Sequence, residues 1–333
     1  MPPLPEVVQA LLEPRAYPDK PQRIELGQTQ MSFVFIADDY VYKVKKPVDL
    51  GYLDYTTLER RQFFCRREVE LNRRLCPDVY LNVVPITQEK GNIVIGGQGE
   101  AIEYAVKMRR LPQEAMMDVL LTNNQVSAEM VASVAKKLAD FHHRAETNAT
   151  ISTFGDLDTI TQNTEENFTQ TEKYIGVTIS RDEYQRIKDY TDSFTSKNAS
   201  LFHQRVVGKR IRDCHGDLHA AHVCFTNGIC IYDCIEFNDR FRYCDVTSEV
   251  AFLAMDLDHY RRADLSRGFV DAYVAQSRDK ELLKLLNFYK CYRAYVRGKV
   301  ASFKFDDPHI SEEERAKSLA SAKSYFDLAE SYI

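Results

Sequence analysis

The run RDCHGDLHAAHVCFTNGICIYDCIEF, residues 212 to 237, holds three histidines, three aspartates and four cysteines. Residue types this dense suit a metal knot, a nucleophile with its base, or a phosphoryl-transfer centre. Within the run, VCF and ICIYDCIEF flank the turn TNG, and an Asn-Gly turn between apolar runs is a strong short-range signal for a β-hairpin. Such a hairpin is expected to fix Asp217, just before it, and Asp233, near its end, at the two sides of one small site. Two aspartates so held suit phosphoryl transfer. One carboxylate orients an attacking hydroxyl and accepts its proton, and the other holds a divalent ion against the nucleotide phosphates. The competing zinc reading draws on Cys214, His219, His222, Cys224, Cys230, Cys234 and Cys244. No C-x2-C pair or C-x2-C…H-x3–5-H spacing accompanies them, and Cys224 and Cys230 fall inside apolar strands, where cysteine serves as a small hydrophobe.

Other elements must carry the rest of such a site. Before residue 110 come the strand-like runs MSFVFIAD, DYVYKVKKP, LNVVPITQ, NIVIGG and AIEYAVKM, rich in β-branched and aromatic residues and separated by Gly, Asp and Lys turns. They predict one mostly antiparallel sheet. A single helix interrupts it over 57 to 75, where Leu58, Phe64, Val69, Leu71 and Leu75 sit among good helix formers. Beyond residue 110 the pattern turns helical. In SAEMVASVAKKLADFHHRAE, Val131, Val134, Leu138 and Phe141 repeat at helical spacing behind a Ser127 cap. The expectation is an α+β, two-lobed chain, with a β lobe over 1–110 that binds nucleotide and a helical lobe over 111–333 that carries the catalytic loop and the acceptor site.

Composition narrows the class. A chain of 333 residues at 44% hydrophobic can bury a core of this size. No stretch reaches the roughly 18 uninterrupted apolar residues of a membrane span, and the N-terminus lacks a signal pattern, so a cytoplasmic protein without membrane contact is expected. Eight cysteines are too sparse for a disulfide scaffold and are expected as thiols. A net charge of −5 argues against a general nucleic-acid binder.

His215, Gly216, Asp217, Leu218, His219, two free positions and then His222 resemble the H-G-D-L-H-x-x-N catalytic loop of the aminoglycoside phosphotransferase and choline kinase branch of the protein-kinase-like fold. His222 stands where that family has asparagine. Asp233, Cys234, Ile235 and Glu236 match its D-x-x-E metal element, and the tail FNDRFRYCDVTSEVAFLAMDLD resembles bacterial members in which a P-loop kinase domain often follows. The resemblance implies a kinase that moves the γ-phosphoryl group of ATP or GTP, with Mg2+ or Mn2+, to a hydroxyl of a small molecule, and a P-loop kinase as a separate partner protein. It makes Asp217 the base, with His215 buttressing the loop through backbone hydrogen bonds, and makes Asp233, His222 and Glu236 the metal set. Asp245 would also support the loop.

The same resemblance asks for a strand lysine on the phosphates, paired with a helix glutamate. Lys43 and Lys45 share one strand face by period-two alternation, and the residue before the lysine favours Lys43. Glu68 is the helix partner, with Glu70 the fallback. Met108, Arg109, Arg110 and Leu111 would form the hinge that meets a purine through its backbone. The segment LGQTQMS (26 to 32) covers the phosphates with one glycine and no G-x-G-x-x-G, which points away from protein kinases and toward the small-molecule branch. A catalytically silent kinase-like binding module is the alternative.

Two segments bear on the acceptor. Residues 151 to 200 carry nine acidic and five basic side chains, which suit either a cationic acceptor or a solvated helical face. Residues 289 to 305 carry five basic side chains and no acidic one, with Arg293 and Arg297 one helical turn apart. Those arginines suit an anion clamp, an RNA-lining face with the tyrosines, or a helix that is half core and half surface.

Overall fold

A computed structural model describes residues 4–307 and 310–333. The chain forms two compact units. The first runs up to Met116 and takes in His222–Asp239, and the second comprises Met117–Ala221 and Arg240–Ile333. A single cut at residue 110 would leave 222–239 with the helices. The segment instead joins the sheet unit because its bonding partners are there. Cys234 N donates to Asn72 Oδ1 (2.9 Å), Asp233 N donates to Tyr80 Oη (3.2 Å), and Cys230 is disulfide-bonded to Cys76. That disulfide corrects the expectation of eight thiols. The fold brings the two Cα atoms to 4.7 Å across a sequence separation of 154, which no local spacing could announce.

The first unit is built on a six-stranded antiparallel sheet of β1 (Ile24–Gln28), β2 (Ser32–Ala37), β3 (Tyr40–Lys45), β4 (Tyr80–Glu89), β5 (Asn92–Ile95) and β6 (Ala101–Arg109), in the order β1-β2-β3-β6-β4-β5. Strand alternation divides β3. Tyr42 and Val44 face a core with Phe33, Phe35, Ile86, Ala105 and the N-terminal Val8, Leu11 and Tyr17. Lys43 and Lys45 therefore face the other way, toward helix α1 (Leu58–Asn72), which Thr57 caps by accepting from Arg60 N. The inner stripe of α1 is Arg61, Cys65, Glu68 and Asn72, at i, i+4, i+7 and i+11. It is polar because the strand face beneath it presents lysines.

The second unit is mainly helical, its principal helices being α2 (Ala128–Arg144), α3 (Leu157–Thr171), α4 (Arg181–Lys197), α5 (Ala199–Val207), α6 (Val246–His259), α7 (Ala263–Ser277), α8 (Leu286–Phe305) and α9 (Glu312–Glu330). Ser127 caps α2, and Val131, Val134, Leu138 and Phe141 are buried along it as the spacing predicts. Helix α6 is buried from Val246 through Leu257, so it is the central element of this unit. Two short strands, β7 (Ile211–Asp213) and, beyond the hairpin, β10 (Tyr243–Asp245), pair antiparallel and lead into the HGDLH segment and α6. The hairpin strands β8 (Val223–Thr226) and β9 (Gly228–Ile231) meet around Asn227, with Gly228 at φ +111°, where a side chain would be strained. Among the described residues no helix is long and apolar enough to cross a membrane.

Candidate functional site

In the first unit the sequence-predicted residues converge. Lys43 Nζ lies 2.9 Å from Glu68 Oε1 and 2.7 Å from Asp233 Oδ1. Lys45 Nζ lies 2.7 Å from Glu68 Oε2 and also bonds Glu236 Oε1, which accepts from Tyr55 Oη at 2.6 Å. Glu70, by contrast, is exposed beside Arg67. Glu68 is therefore the residue shared by both lysines. Burial pushes the Glu68 carboxyl up, but the two ammoniums outweigh it and hold the group below its usual range. Burial likewise works against the charged Lys43, and Asp233, Glu68 and Glu236 reverse the effect, holding it well above an ordinary lysine. Both lysines stay charged at neutral pH.

Asp233 is the partly open member, its side chain 40% exposed against 1% for Lys45 and 0% for Glu68. Its backbone takes φ +61°, a left-handed conformation that costs a non-glycine residue of order 1 kcal/mol and is held by the bonds from Asp233 N and Cys234 N. His222 Nε2 lies 3.6 Å from Asp233 Oδ2. A hard divalent cation fits an exposed carboxylate of this kind. Glu236 fits less well, being buried with one oxygen taken by Lys45 and Tyr55. At the expected hinge, Arg109 N and Arg110 N donate to Val79 O and Asp39 O. Arg109, Arg110 and Leu111 line a cleft of about 510 Å3 with Asp39, Tyr40 and Pro112. Met108 is buried in β6.

The second unit holds the HGDLH segment by its backbone. Glu249 Oε1 accepts from His215 N (2.8 Å) and Gly216 N (2.6 Å), while its Oε2 meets His142 Nε2 at 2.7 Å. His142 Nδ1 in turn meets Tyr273 Oη at 2.7 Å. Arg293 donates to Gly216 O, and Asp256 Oδ2 accepts from Ala220 N. His215 Nδ1 accepts from Asp217 N at 3.3 Å, so the His215 side chain buttresses the turn. Asp217 keeps a side chain 34% exposed, with His219 Nε2 at 3.7 Å. Asp245 caps α6 and accepts from two Arg205 nitrogens, Nε at 2.8 Å and Nη2 at 2.7 Å, while Arg205 Nη1 donates to Asp279 at 2.7 Å. Sequence reasoning missed Glu249, His142, Arg205, Lys45's second partner and Tyr55. It also read Arg293 as a candidate anion clamp, whereas the side chain is buried and spent on Ser248 and Gly216. Of the cysteines in the zinc reading, Cys230 is in the disulfide and burial pushes the Cys224 thiol up to about 11, whereas Cys214 lies with His142 and Glu249, their ligand atoms within 4.8 Å of one another.

The geometry can now be set beside known proteins. Amicoumacin kinase, solved with AMP-PNP, Ca2+ and Ami, superposes at a TM-score of 0.55 with 13% identity, covering 96% of this chain and 91% of that one. A choline/ethanolamine kinase family protein from Mesorhizobium loti matches at a TM-score of 0.50 and 12% identity over 98% of both chains. The chain has the aminoglycoside phosphotransferase and choline kinase-like fold. An aminoglycoside phosphotransferase from Alicyclobacillus acidocaldarius shares this fold too, at a TM-score of 0.50, 14% identity and coverage of 100% and 95%. By sequence the chain is 34% identical over 283 residues to uncharacterized proteins of Mycobacterium tuberculosis and Mycobacterium bovis. It spans about half the length of these curated relatives, 55%, while 85% of its own length is matched. No protein-family profile matches it.

Two outcomes follow from the charges in this kinase-like fold. Lys45→Met leaves Glu68 and Glu236 buried without their shared cation, so chemical denaturation should show a loss of about 3–5 kcal/mol. Lys43→Met should cost less, because Asp233 is partly solvated. For the loop, burial raises the Glu249 carboxyl but His142 and the Gly216 N–H hold it down to about 2. A depressed carboxyl contributes stability in full above its unfolded pKa of about 4.3 and loses it as the pH falls toward 2. The acid limb of a stability–pH curve should therefore be steep between those values, and Glu249→Gln should both lower stability at pH 7 and flatten that limb.

Proposed function

We propose that the protein is a small-molecule kinase that transfers the γ-phosphoryl group of ATP or GTP to an alcohol. The observation that carries this reading is the Lys43–Glu68–Asp233 cluster, in which one lysine meets both the helix glutamate and the hairpin aspartate within 2.9 Å. The fold of the solved phosphotransferases supports it. So does the presence of AMP-PNP and Ca2+ in the complex of one of them. Asp217 accepts the proton of the acceptor hydroxyl as that oxygen bonds the γ-phosphorus and the nucleoside diphosphate leaves. Lys43 donates to phosphate oxygens, and Glu68 keeps the ammonium aimed. With the N–H groups of Arg109 and Arg110 already spent, Leu111 is the hinge residue left to offer its backbone to a purine. A divalent ion held by Asp233, with His222 beside it, would neutralise charge on the phosphates.

Thermal melting with ATP or GTP plus Mg2+ or Mn2+ tests the reading, because a ligand of the folded state raises apparent stability. A rise in Tm with at least one pair is expected, and no shift with any of them counts against the whole assignment. Asp217→Ala should lower kcat by about 10²-fold or more while leaving that nucleotide shift intact. Turnover at the wild-type rate would remove Asp217 from the base role.

His222 lies beside Asp233 where the family has an oxygen donor, and imidazole nitrogen suits Mn2+ better than Mg2+. His222→Asn should gain turnover in Mg2+ relative to Mn2+. An unchanged metal preference would assign His222 to supporting Asp233 alone.

A further inference from the structure

Within the second unit, one cation on the Asp217 side of the fold is not used by the machinery above. Helix α8 presents Arg293 and Arg297 on one face, a turn and about 6 Å apart along the axis. Arg293 is spent: its Nη1 donates to Gly216 O at 3.2 Å, next to Asp217, and its Nε donates to Ser248. Arg297 is less fully committed: its guanidinium meets the Tyr325 hydroxyl, but its Nε is buried and meets no hydrogen-bond acceptor among the described residues, although the residue as a whole is only half-buried. A buried guanidinium N–H left unmatched costs free energy unless a ligand completes it.

The surroundings of Arg297 lead back to the same loop. Its guanidinium lies 5.4 Å from the centre of the Tyr325 ring, and His259 stacks on the same ring at 4.0 Å between centres and 10°. Tyr325 Oη donates to Asp256 Oδ1 at 3.3 Å, and Asp256 Oδ2 accepts from Ala220 N at 2.8 Å, three residues beyond Asp217. Asp256 is thereby committed to holding the loop. Asp256 and Asp217 are the negative charges that Arg297 feels, and with the neutral Tyr325 hydroxyl beside it they outweigh burial and keep the guanidinium protonated. His259 is shifted the other way, first by burial, and is neutral at pH 7. The acidic stretch that could have drawn in a cation is partly consumed elsewhere: Glu166 pairs with Arg240 and Glu165 with Lys188.

We propose that Arg297 is an acceptor-recognition residue and that the alcohol phosphorylated by this protein carries a carboxylate or phosphate group, which the Arg297 fork binds while the hydroxyl meets Asp217. The choice of a carboxylate or phosphate follows from the planar fork, which pairs with either in bidentate fashion. A cationic amino alcohol would meet a fixed positive charge instead. This deepens the kinase reading and rests on it.

The test is calorimetric titration of the whole protein, with and without a non-hydrolysable ATP analogue and Mg2+. The probes are gluconate and ribose 5-phosphate as anionic polyols, and choline and kanamycin as cationic alcohols. At least one anionic probe should bind saturably, and Arg297→Gln should weaken it about 10-fold to 100-fold, with partial recovery in Arg297→Lys. Binding of the cationic probes alone, binding of none, or an anion affinity unchanged in Arg297→Gln would each overturn the proposal. If a variant fails to fold, the anion–cation comparison on the wild type decides by itself. Nucleotide binding measured in the same titrations separates the two claims: nucleotide bound and anions refused sinks the acceptor assignment alone, whereas nucleotide refused sinks the kinase reading.

Discussion

Two ammonium groups and three carboxylates share one volume of the first unit, and most of its architecture exists to make that arrangement tolerable. Lys45 and Glu68 are almost wholly out of water, a position that costs several kcal/mol per ion before any attraction is counted. The attraction suffices because each charge has more than one partner. Lys45 meets Glu68, Glu236 and Tyr55, and Glu68 meets both lysines. One consequence is that Lys43 and Asp233, the two members with solvent access, are positioned by a dry set of neighbours rather than by their own contact. A second is that α1 buries Arg61, Glu68 and Asn72 alongside Cys65, Val69 and Leu71, so its inner side is far more polar than is typical of a helix over a sheet.

The second unit solves the complementary problem of holding a loop without blocking its aspartate. Glu249, Arg293 and Asp256 each bond the main chain of residues 215–220, so rigidity comes from buried side chains reaching the backbone. Asp217 stays open to solvent as a result. Buried polar groups that are matched in this way define a single geometry, because any slip leaves a charge unpaired.

The sequence made some of this legible and hid the rest for physical reasons. Strand alternation put Lys43 and Lys45 on one face, helical spacing identified the buried side of α2, and the Asn-Gly turn announced the hairpin, because each of these signals is local. Glu68 over Glu70 and Asp217 with Asp233 came from motif order. The partners of Lys45, Glu249 and Arg205 lie 191, 107 and 40 residues away respectively. No periodicity reports such distances. The allegiance of 222–239 to the sheet unit and the Cys76–Cys230 pairing were hidden for the same reason. The opposite fates of Arg293 and Arg297 depend on which one reaches the loop, and that is decided by how α8 lies against α6.

The discontinuity of the first unit has a consequence for how the chain is made. When residue 116 has been synthesised, all six strands and α1 are present, with Lys43, Lys45 and Glu68 among them, but Asp233 and Glu236 are not. The nascent unit then has two inward-facing cations and one of the three carboxylates that balance them. At about 5–20 residues per second, the 123 residues from 116 to 239 take on the order of 6–25 s. Throughout that interval, burying the strand face that bears the lysines costs more than it does once Asp233 and Glu236 are made, because unpaired charges must leave water.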